Sequence, residues 1–352
     1  MRALVLSGGE GSRLRPLTHT NAKQLIPVAG TPILFHALES IAAAGITEVG
    51  IVIGATGDEV RAAVGDGSRW GLRATYIPQA QPLGIAHAVT TAADFVRGEP
   101  FLLFLGDNVL LSGVSRFVDE FERNRPDAQI LLTHVKEPEH FGVAVLEGER
   151  VVRLVEKPKE FVSDIALVGV YLFDDSVLEA CAALTPSGRG EYEITEAIQW
   201  LVDHGKNVRA EMVEGWWKDT GKPDDLLEAN RIMLSVRAFA VEGEVDDATT
   251  VWGDVAVGKG VRVTSSILRG PLVIGPGTIV ESSELGPDVS IERDCRIQRS
   301  EVSDSIVMEG CRITDVHGIT GSILGRNVEV RHSGTEGVHR LIVGDQSRVE
   351  IG

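Results

Sequence analysis

The chain has 352 residues, which is enough for two domains with separate hydrophobic cores. Its composition, 43% hydrophobic and 24% charged, is that of a globular protein and argues against a disordered one. The formal net charge of −17 argues against long-range attraction to nucleic acid or to an anionic membrane surface. An anionic substrate would therefore need a local cluster of cations.

The sequence predicts a cytoplasmic protein without a membrane or nucleic-acid partner. Its three cysteines, Cys181, Cys295 and Cys311, are an odd number without metal-ligand spacing, which fits a reducing compartment. The chain begins directly with a strand-like pattern and not with a basic and apolar signal segment. No apolar run reaches the length that crosses a bilayer.

The first strand, predicted over residues 3–6, leads into a turn that could bind a polyphosphate. The turn contains three glycines, Gly8, Gly9 and Gly11. Glycine lets the backbone bend and approach a ligand closely, and the cations Arg13 and Lys23 follow. Exposed backbone N–H groups and fixed cations together suit phosphate oxygens. The spacing is neither that of a P-loop nor that of a dinucleotide fingerprint, and an ordinary glycine turn remains the alternative.

Helices and strands then alternate over the first two hundred or so residues. We predict helices over residues 33–44, 58–64 and 85–96, and strands over residues 49–53, 74–77 and 101–105. Thr31 and Pro32 resemble the N-cap and first position of the first helix, and Gly45 its end. The alternation predicts a mostly parallel, doubly wound sheet, which binds ligands beyond the carboxyl ends of its strands. Strands with tight turns follow over residues 130–173, and a helix over residues 224–236.

After about residue 238 a six-residue repeat replaces helical periodicity. Apolar residues stand at positions 257, 274, 291, 307, 324 and 343, in steps of 17, 17, 16, 17 and 19 residues. Each step is close to three hexapeptides, which predicts one triangular coil of a parallel β-helix. An all-β sandwich would explain the glycines but not the period. We therefore predict one domain over residues 1–238 and a β-helix domain over residues 239–352.

Two carboxylates are candidate ligands of a metal ion. Asp107 ends a buried apolar strand, and Asp219 follows two adjacent tryptophans, Trp216 and Trp217. A hard cation such as Mg²⁺ takes one or two carboxylates together with phosphate oxygens and water. The alternatives are a turn-forming Asp–Asn pair at Asp107 and an ordinary loop at Asp219.

A further candidate pair is Glu156 and Lys157, which follow a strand-like segment and precede Pro158. Lys157 could meet a phosphate while Glu156 accepts hydrogen bonds from hydroxyl groups. Adjacent residues of an extended strand point to opposite faces, so an ion pair between them is not implied. The alternative is an exposed, polar strand end.

The loop before the predicted helix at residue 85 could read a nucleotide base. Gln79 can both donate to and accept from the edge of a pyrimidine, and Gly84 would let the backbone approach it. The alternative is a polar loop that caps the helix, with His87 as an ordinary polar or packing residue. The nine histidines show no pairing suited to a metal, and no Ser-His-Asp arrangement supports hydrolysis.

In combination these motifs resemble the sugar-1-phosphate nucleotidylyltransferase family. Leu6-Ser-Gly-Gly-Glu-Gly-Ser-Arg-Leu-Arg-Pro-Leu-Thr18 with Lys23 is similar to the family's opening, L-A-G-G-x-G-x-R-L-x-P-L-T…K. The matches continue through residues 82–86, 106–108, 141–143, 156–158, 168–171, 190–195 and 217–221. Gln24 after Lys23, together with the hexapeptide tail, resembles the longer form of the glucose-1-phosphate thymidylyltransferases. Ser7 in place of the usual Ala, and His87 where shorter members usually carry Gln, depart from the pattern.

The resemblance implies a Rossmann-like doubly wound mixed sheet followed by a left-handed parallel β-helix. It implies that glucose 1-phosphate attacks the α-phosphate of dTTP with the help of Mg²⁺, which yields dTDP-glucose and pyrophosphate. Alternatives are UTP or another hexose 1-phosphate as substrate, and a non-catalytic regulatory pyrophosphorylase subunit. An acyltransferase activity of the tail is a further alternative. A homo-oligomer is expected, with the β-helix as a candidate interface.

The resemblance also implies roles for individual residues. The catalytic set is Arg13, Lys23, Asp107, Lys157 and Asp219, in which Asp107 and Asp219 hold the metal ion. The nucleotide set is Leu6, Gly8, Gly9, Gly11, Arg13, Gln24, Gln79 and Gly84. The sugar-phosphate set is Asn108, Gly142, Glu156, Lys157 and Gly169.

Overall fold

The computed structural model describes residues 1–148, 150–332 and 337–351. Contacts within the chain group these residues into two compact units. The first unit comprises Met1–Glu10 and Leu34–Asp219, and the second comprises Gly11–Ile33 and the chain from Thr220 onward. The boundary predicted at residue 238 marks a change in sequence pattern and does not coincide with an end of either compact unit. It stays a prediction.

The strands up to residue 219 include the four predicted at residues 3–6, 49–53, 74–77 and 101–105 and those expected over residues 130–173, together with five that were not predicted. They are β1 Arg2–Ser7, β2 Pro27–Val28, β3 Thr31–Pro32, β4 Glu48–Ile53, β5 Arg73–Pro78, β6 Phe101–Leu105, β7 Asn108–Leu110, β8 Ala128–His134, β9 Gly142–Glu147, β10 Arg150–Glu156, β11 Ile165–Phe173, β12 Val208–Met212 and β13 Trp217–Asp219. The pair β2 and β3 corrects one expectation. Thr31 and Pro32 lie in a short antiparallel strand and not at the start of a helix.

The described helices vary from one to four turns. They are α1 Ile33–Ala43, α2 Gly57–Val64, α3 Ile85–Thr91, α4 Ala93–Val96, α5 Ser115–Asn124, α6 Ser176–Ala183, α7 Ile194–Asp203 and α8 Pro223–Val236. The helix expected over residues 85–96 is divided between α3 and α4, while Gly45 follows α1 with φ +77°, as a helix end requires. In the described parts of the chain, no helix has the length and apolarity that a membrane span requires.

Nine of the described strands of the first unit form one mixed sheet in the order β5-β4-β1-β6-β11-β8-β12-β10-β9. The half from β5 to β6 is parallel. Antiparallel pairs join most of the other half, where β8 and β12 are parallel. The mixed sheet is therefore confirmed, whereas a mostly parallel one is wrong. Helices lie in the crossovers between the parallel strands. Longer loops connect β8 to β9 and β10 to β11, and α6 and α7 lie between β11 and β12.

The core of the first unit surrounds the centre of this sheet. Phe101 and Leu103 in β6 and Tyr171 and Phe173 in β11 are buried against residues of α3, α6 and α7. Strand β6 is apolar along its whole length because both faces of the sheet are covered there, so polar and apolar residues do not alternate. Because β1 pairs parallel with both β4 and β6, the carboxyl ends of these three strands lie at the same edge of the sheet.

Short parallel strands stack into three faces in the second unit. They are β14 Glu244–Val245, β15 Thr250–Trp252, β16 Val255–Val257, β17 Arg262–Thr264, β18 Ile267–Arg269, β19 Leu272–Ile274, β20 Ile279–Glu281, β21 Glu284–Leu285, β22 Val289–Ile291, β23 Arg296–Gln298, β24 Glu301–Val302, β25 Ile306–Val307, β26 Arg312–Thr314, β27 Ile323–Leu324, β28 Glu329–His332, β29 Ile342–Val343 and β30 Arg348–Ile351. This arrangement confirms the parallel β-helix and is consistent with a left-handed one.

The repeat predicted the register of this β-helix. The apolar positions 257, 274, 291, 307, 324 and 343 are successive partners on one face, in β16, β19, β22, β25, β27 and β29. Their side chains form an interior column within the apolar core. Each coil places an apolar side chain in this column, so the column continues although the steps between its members differ in length.

The segment Gly11–Ile33 packs within the second unit. The backbone N–H of Ala29 donates to Oδ1 of Asn230 on α8 at 2.9 Å, and Arg237 donates to the carbonyl of Ala29. Nδ2 of Asn230 in turn donates to the carbonyl of Asp288 in the β-helix at 3.2 Å. Helix α8 therefore links the early segment to the β-helix coils.

Candidate active site

The glycine turn after β1 lies against the turn after β4. A Cβ atom on Gly54 would lie only 2.7 Å from the carbonyl oxygen of Gly8, so the two backbones touch. The backbone N–H of Gln79 donates to the carbonyl of Ile53 at 2.9 Å, which brings Gln79 to the same edge. Its Oε1 lies 3.3 Å from the position of a Cβ on Gly8. Gly8 and Gln79, both predicted to face the nucleotide, are thus brought together beyond Leu6.

His87, on α3, contacts this loop more closely than we expected. Its Nδ1 lies 2.8 Å from Nε2 of Gln79. Its ring stacks on Tyr192, with ring centroids 6.1 Å apart and planes inclined by 27°. His87 therefore restrains the amide of Gln79, and is not a packing residue alone.

Two features of the backbone at position 84 require glycine there. Its φ is +105°, and a Cβ atom would lie 2.5 Å from the carbonyl oxygen of Tyr192. Backbone bonds reinforce this approach, because Tyr192 donates to the carbonyl of Leu83 at 2.8 Å and accepts from Ala86 at 3.1 Å. The loop between Gln79 and α3 is consequently clamped on the segment before α7.

The two candidate metal ligands are brought together by two short paired strands that are distant in sequence. Strands β7 and β13 pair antiparallel, with Asp219 opposite Asn108 and therefore next to Asp107. The amide of Asn108 donates from Nδ2 to Oδ1 of Asp107 at 3.2 Å and accepts from Nε1 of Trp217 at 2.7 Å. Asn108 is 3% exposed, so its polar atoms need these partners.

The carboxylate oxygens at this pair of strands fit a hard cation. Among the described residues, no group of three or more His, Cys, Asp or Glu side chains is arranged to hold a metal. Two carboxylates suit Mg²⁺, which binds few protein ligands and completes its octahedron with phosphate oxygens and water. Asp107 and Asp219 could therefore hold Mg²⁺ once a phosphate is present.

Lys157 departs from the extended conformation that we expected. Its φ is +42°, in the left-handed region, and its N–H donates to the carbonyl of Phe141 at 3.0 Å. Its Nζ lies 3.7 Å from Oε1 of Glu156. The expectation that Glu156 and Lys157 point apart is wrong, because the chain turns at Lys157. Strain of this kind is typical of functional positions.

Glu156 is held by residues to which the sequence reasoning assigned no role. Thr195 donates from Oγ1 to its Oε2 at 3.1 Å, and Arg189 donates to its Oε1 at 3.2 Å. Burial, with a contribution from Glu193, raises the pKa of Glu156 above its usual value. Arg189 also contacts Glu193, at 3.3 Å. The sequence feature that could have indicated this cluster is the stretch over residues 190–195, which matches a motif of the family.

Two glycines of the sugar-phosphate set make room for these groups. A Cβ atom on Gly142 would lie 2.5 Å from Cγ2 of Thr195 and 2.9 Å from Oε2 of Glu156. On Gly169, whose φ is +76°, it would lie 3.1 Å from the amide of Asn108. Phe141 and Trp217 are in edge contact, with ring centroids 5.6 Å apart. This contact connects the β7–β13 pair to the strand of Gly142.

The remaining nucleotide candidates lie together in the segment Gly11–Ile33. Gly11 has a φ of +63°, and a Cβ there would lie 3.0 Å from Cβ of Lys23. Arg13 lies in the 3₁₀ turn Ser12–Leu14, and Lys23 and Gln24 lie in the 3₁₀ turn Lys23–Leu25. Gln24 is 1% exposed, and its Oε1 has no hydrogen-bond partner among the residues that the structure describes. Gly9 follows Gly8 directly in the chain.

A family model described as nucleotidyl transferase matches residues 2–236 of the chain. The chain belongs to this nucleotidyl transferase family. The match includes every residue of the predicted catalytic, nucleotide and sugar-phosphate sets, while the β-helix coils follow it. The family predicted from the sequence motifs is thereby confirmed.

Relatives of this nucleotidyltransferase chain extend along its full length. A glucose-1-phosphate thymidylyltransferase from Streptomyces griseus is 51% identical over 100% of this chain and 99% of the relative. The low-salt glycan biosynthesis nucleotidyltransferase Agl11 from Haloferax volcanii is 40% identical over 100% of both chains. A solved structure from Bacillus anthracis, of a candidate glucose-1-phosphate thymidylyltransferase in complex with a sucrose, is 35% identical. It covers 67% of this chain and 96% of that chain, with a TM-score of 0.64.

Proposed function

We propose that this nucleotidyltransferase makes dTDP-glucose and pyrophosphate from dTTP and glucose 1-phosphate. The observation that carries the proposal is the position of Asp107 and Asp219 at the paired strands β7 and β13. Trp217 of β13 contacts Phe141, whose carbonyl accepts from the N–H of Lys157. The two aspartates suit a metal ion bound to a triphosphate. Lys157 suits the phosphate of a sugar phosphate, and the carboxylate of Glu156 can accept hydrogen bonds from the sugar hydroxyl groups. The name of the Streptomyces griseus relative supports the choice of substrates.

The proposed reaction joins two polyanions, so charge and alignment dominate the catalysis. An oxygen of the sugar phosphate attacks the α-phosphorus of dTTP, the bond from that phosphorus to the bridging oxygen breaks, and pyrophosphate leaves. Arg13 and Lys23 bind the triphosphate and the departing pyrophosphate, and Lys157 binds the phosphate of the sugar. The attacking oxygen is already ionised at neutral pH, so the reaction needs no general base.

Asp107 and Asp219 are the residues that would hold Mg²⁺. The ion would neutralise negative charge on the α-phosphate as the new bond forms. The backbones of Gly8, Gly9 and Gly11 approach the phosphates. Asn108, Gly142, Glu156 and Gly169 line the hexose.

We propose that Gln79 and Gly84 face the thymine and that Gln24 supports the nucleotide. A Gln79 amide nitrogen that donates to His87 leaves its oxygen and one N–H for the base. Those two groups match the N3–H donor and O4 acceptor of thymine. Cytosine presents the opposite pattern at these atoms, so a restrained amide discriminates between the two bases.

Replacement of His87 by alanine is therefore expected to weaken base recognition. We expect KM for dTTP to rise roughly two- to tenfold, the effect of one net hydrogen bond, and the preference for dTTP over dCTP to fall. Steady-state kinetics with both triphosphates measure this. Thr91→Ala on the same helix removes a bond to the backbone of His87 and leaves its ring, so it serves as the control. Unchanged discrimination in His87→Ala would contradict the role.

A substrate panel tests the proposed function directly. Pyrophosphate release is measured with dTTP, UTP, GTP and ATP, each against glucose 1-phosphate, glucosamine 1-phosphate and mannose 1-phosphate. We expect the largest kcat/KM for dTTP with glucose 1-phosphate. A larger value for another pair would replace the proposed substrates, and no release with any pair would support the regulatory-subunit alternative.

We also propose that the enzyme works in the cytoplasm as a homo-oligomer. The three cysteines are buried and free, which supports a reducing compartment. Light scattering of the purified protein measures the oligomeric state, for which the β-helix is a candidate interface.

A further inference from the structure

The turn between β29 and β30 of the β-helix contacts the segment Gly11–Ile33 through one carboxylate, that of Asp345. Oδ1 and Oδ2 of Asp345 accept from Nδ2 of Asn21 at 3.0 and 2.9 Å, and Oδ2 also accepts from Oγ1 of Thr20 at 3.0 Å. Oδ1 accepts in addition from the backbone N–H of Arg326 on the preceding coil at 2.8 Å. Asp345 is thus tied to the β-helix and to the early segment at once.

The contact is built into both partners. Asn21 is 2% exposed and also donates to the carbonyl of Leu17 at 3.2 Å, so it is a fixed part of its segment. Gly344 precedes Asp345, and a Cβ there would lie 2.9 Å from the carbonyl oxygen of Pro16. A larger residue at 344 would therefore push the segment away.

Asp345 also differs from the residues at the same position of earlier coils. Val343 and Val307 are in the same interior column, so Asp345 corresponds to Glu309 two coils earlier. Glu309 pairs with Arg293 of the adjacent coil at 2.8 Å and stays within the β-helix. An ionised carboxylate only accepts hydrogen bonds, and every partner of Asp345 named above donates one, which suits a charged anchor.

We propose that Asp345 is a positioning residue for triphosphate binding. This inference rests on the proposed function, which assigns Arg13, Lys23 and Gln24 to the nucleotide. Thr20 and Asn21 directly precede Lys23 and Gln24, with only Ala22 between. By fixing Thr20 and Asn21, Asp345 holds the 3₁₀ turn of Lys23 and Gln24 in its binding geometry. The β-helix then contributes to substrate affinity, in addition to any structural duty.

The test compares the full-length Asp345→Ala and Asp345→Asn variants with wild-type protein. We expect KM for dTTP to rise about tenfold in Asp345→Ala, equivalent to ~1.4 kcal/mol. KM for glucose 1-phosphate should stay within about twofold, because the residues that bind it lie in the first unit. Asp345→Asn keeps the shape and one acceptor, so its effect should be smaller.

Hydrogen exchange provides a readout that needs no substrate. The backbone N–H groups of Leu14 and Leu25 bond to the carbonyls of Gly11 and Ala22, both at 2.9 Å. We expect faster exchange at these amides in Asp345→Ala and unchanged exchange in the core strands. Glu309→Ala removes an acidic residue from the same position of an earlier coil, and should change neither the exchange nor KM for dTTP.

Two results would overturn the inference: equal rises in both KM values, or unchanged exchange at Leu14 and Leu25. If Asp345→Ala does not fold, Asp345→Asn supplies the same comparison, with no change in KM for dTTP and no change in exchange as the contrary result. Failure of the proposed function is seen separately, as wild-type protein that is inactive with dTTP and glucose 1-phosphate. The exchange experiment still decides whether Asp345 orders the segment in that case.

Discussion

Replacement of Asp107 by asparagine is expected to lower kcat by roughly 10²–10³-fold, the usual effect of losing one electrostatic stabiliser of a transition state. Asparagine has the same shape, and its oxygen can still accept from Nδ2 of Asn108, so the β7–β13 strand pair should remain folded. The variant loses the charge that would hold Mg²⁺ with Asp219. The measurement is pyrophosphate release over a range of Mg²⁺ concentrations.

Matched variants make this result specific. Asp119→Asn changes an exposed carboxylate on α5 of the same unit and should leave kcat unchanged. Asp219→Asn should resemble Asp107→Asn, and the double variant should lose less than the product of the single effects, because both residues serve one ion. Near-normal Mg²⁺-dependent turnover in Asp107→Asn would contradict the metal assignment.

Replacement of Lys157 by alanine is expected to raise KM for glucose 1-phosphate by about ten- to a hundredfold. This range corresponds to a hydrogen bond to a charged group, about 1.5–3 kcal/mol. The variant also removes the partner that lies 3.7 Å from Glu156, which lines the same proposed subsite. Initial rates at saturating dTTP and varied glucose 1-phosphate measure the effect.

Lys159→Ala provides the control, because Lys159 is exposed two residues further along the same segment. It should leave both KM values unchanged. If Lys157→Ala altered KM for dTTP alone, the roles of Lys157 and of Arg13 and Lys23 would have to be exchanged.

The β-helix was the part of the fold that local sequence specified most fully. Its coils contact chiefly their neighbours in sequence, so a period near 17 residues determines which residues stack. Strands β1, β4 and β6 in the parallel half of the sheet were also predictable, since they are apolar enough to be covered on both faces. The antiparallel half was not predicted, because periodicity identifies a strand without identifying its neighbour.

The candidate site was predicted by residue type but not by geometry. Asp107 and Asp219 were selected from separate motifs, and the antiparallel register of β7 and β13 is what brings them together. The Glu156–Lys157 pair was misjudged, since the positive φ of Lys157 accompanies a backbone bond to Phe141, which is distant in sequence. The bond between Gln79 and His87 of α3 was likewise not predicted, although the two residues are only eight positions apart.

The sequence alone determined the glycine turn, the cations and the hexapeptide period, because the backbone freedom of glycine, side-chain charge and the spacing of apolar residues are local properties. Only the tertiary structure decided that Gly11–Ile33 packs with the β-helix. That choice depends on bonds such as Asn21 to Asp345, between residues more than 300 positions apart. Pairing over such a distance depends on how the whole chain packs, and no local pattern encodes it.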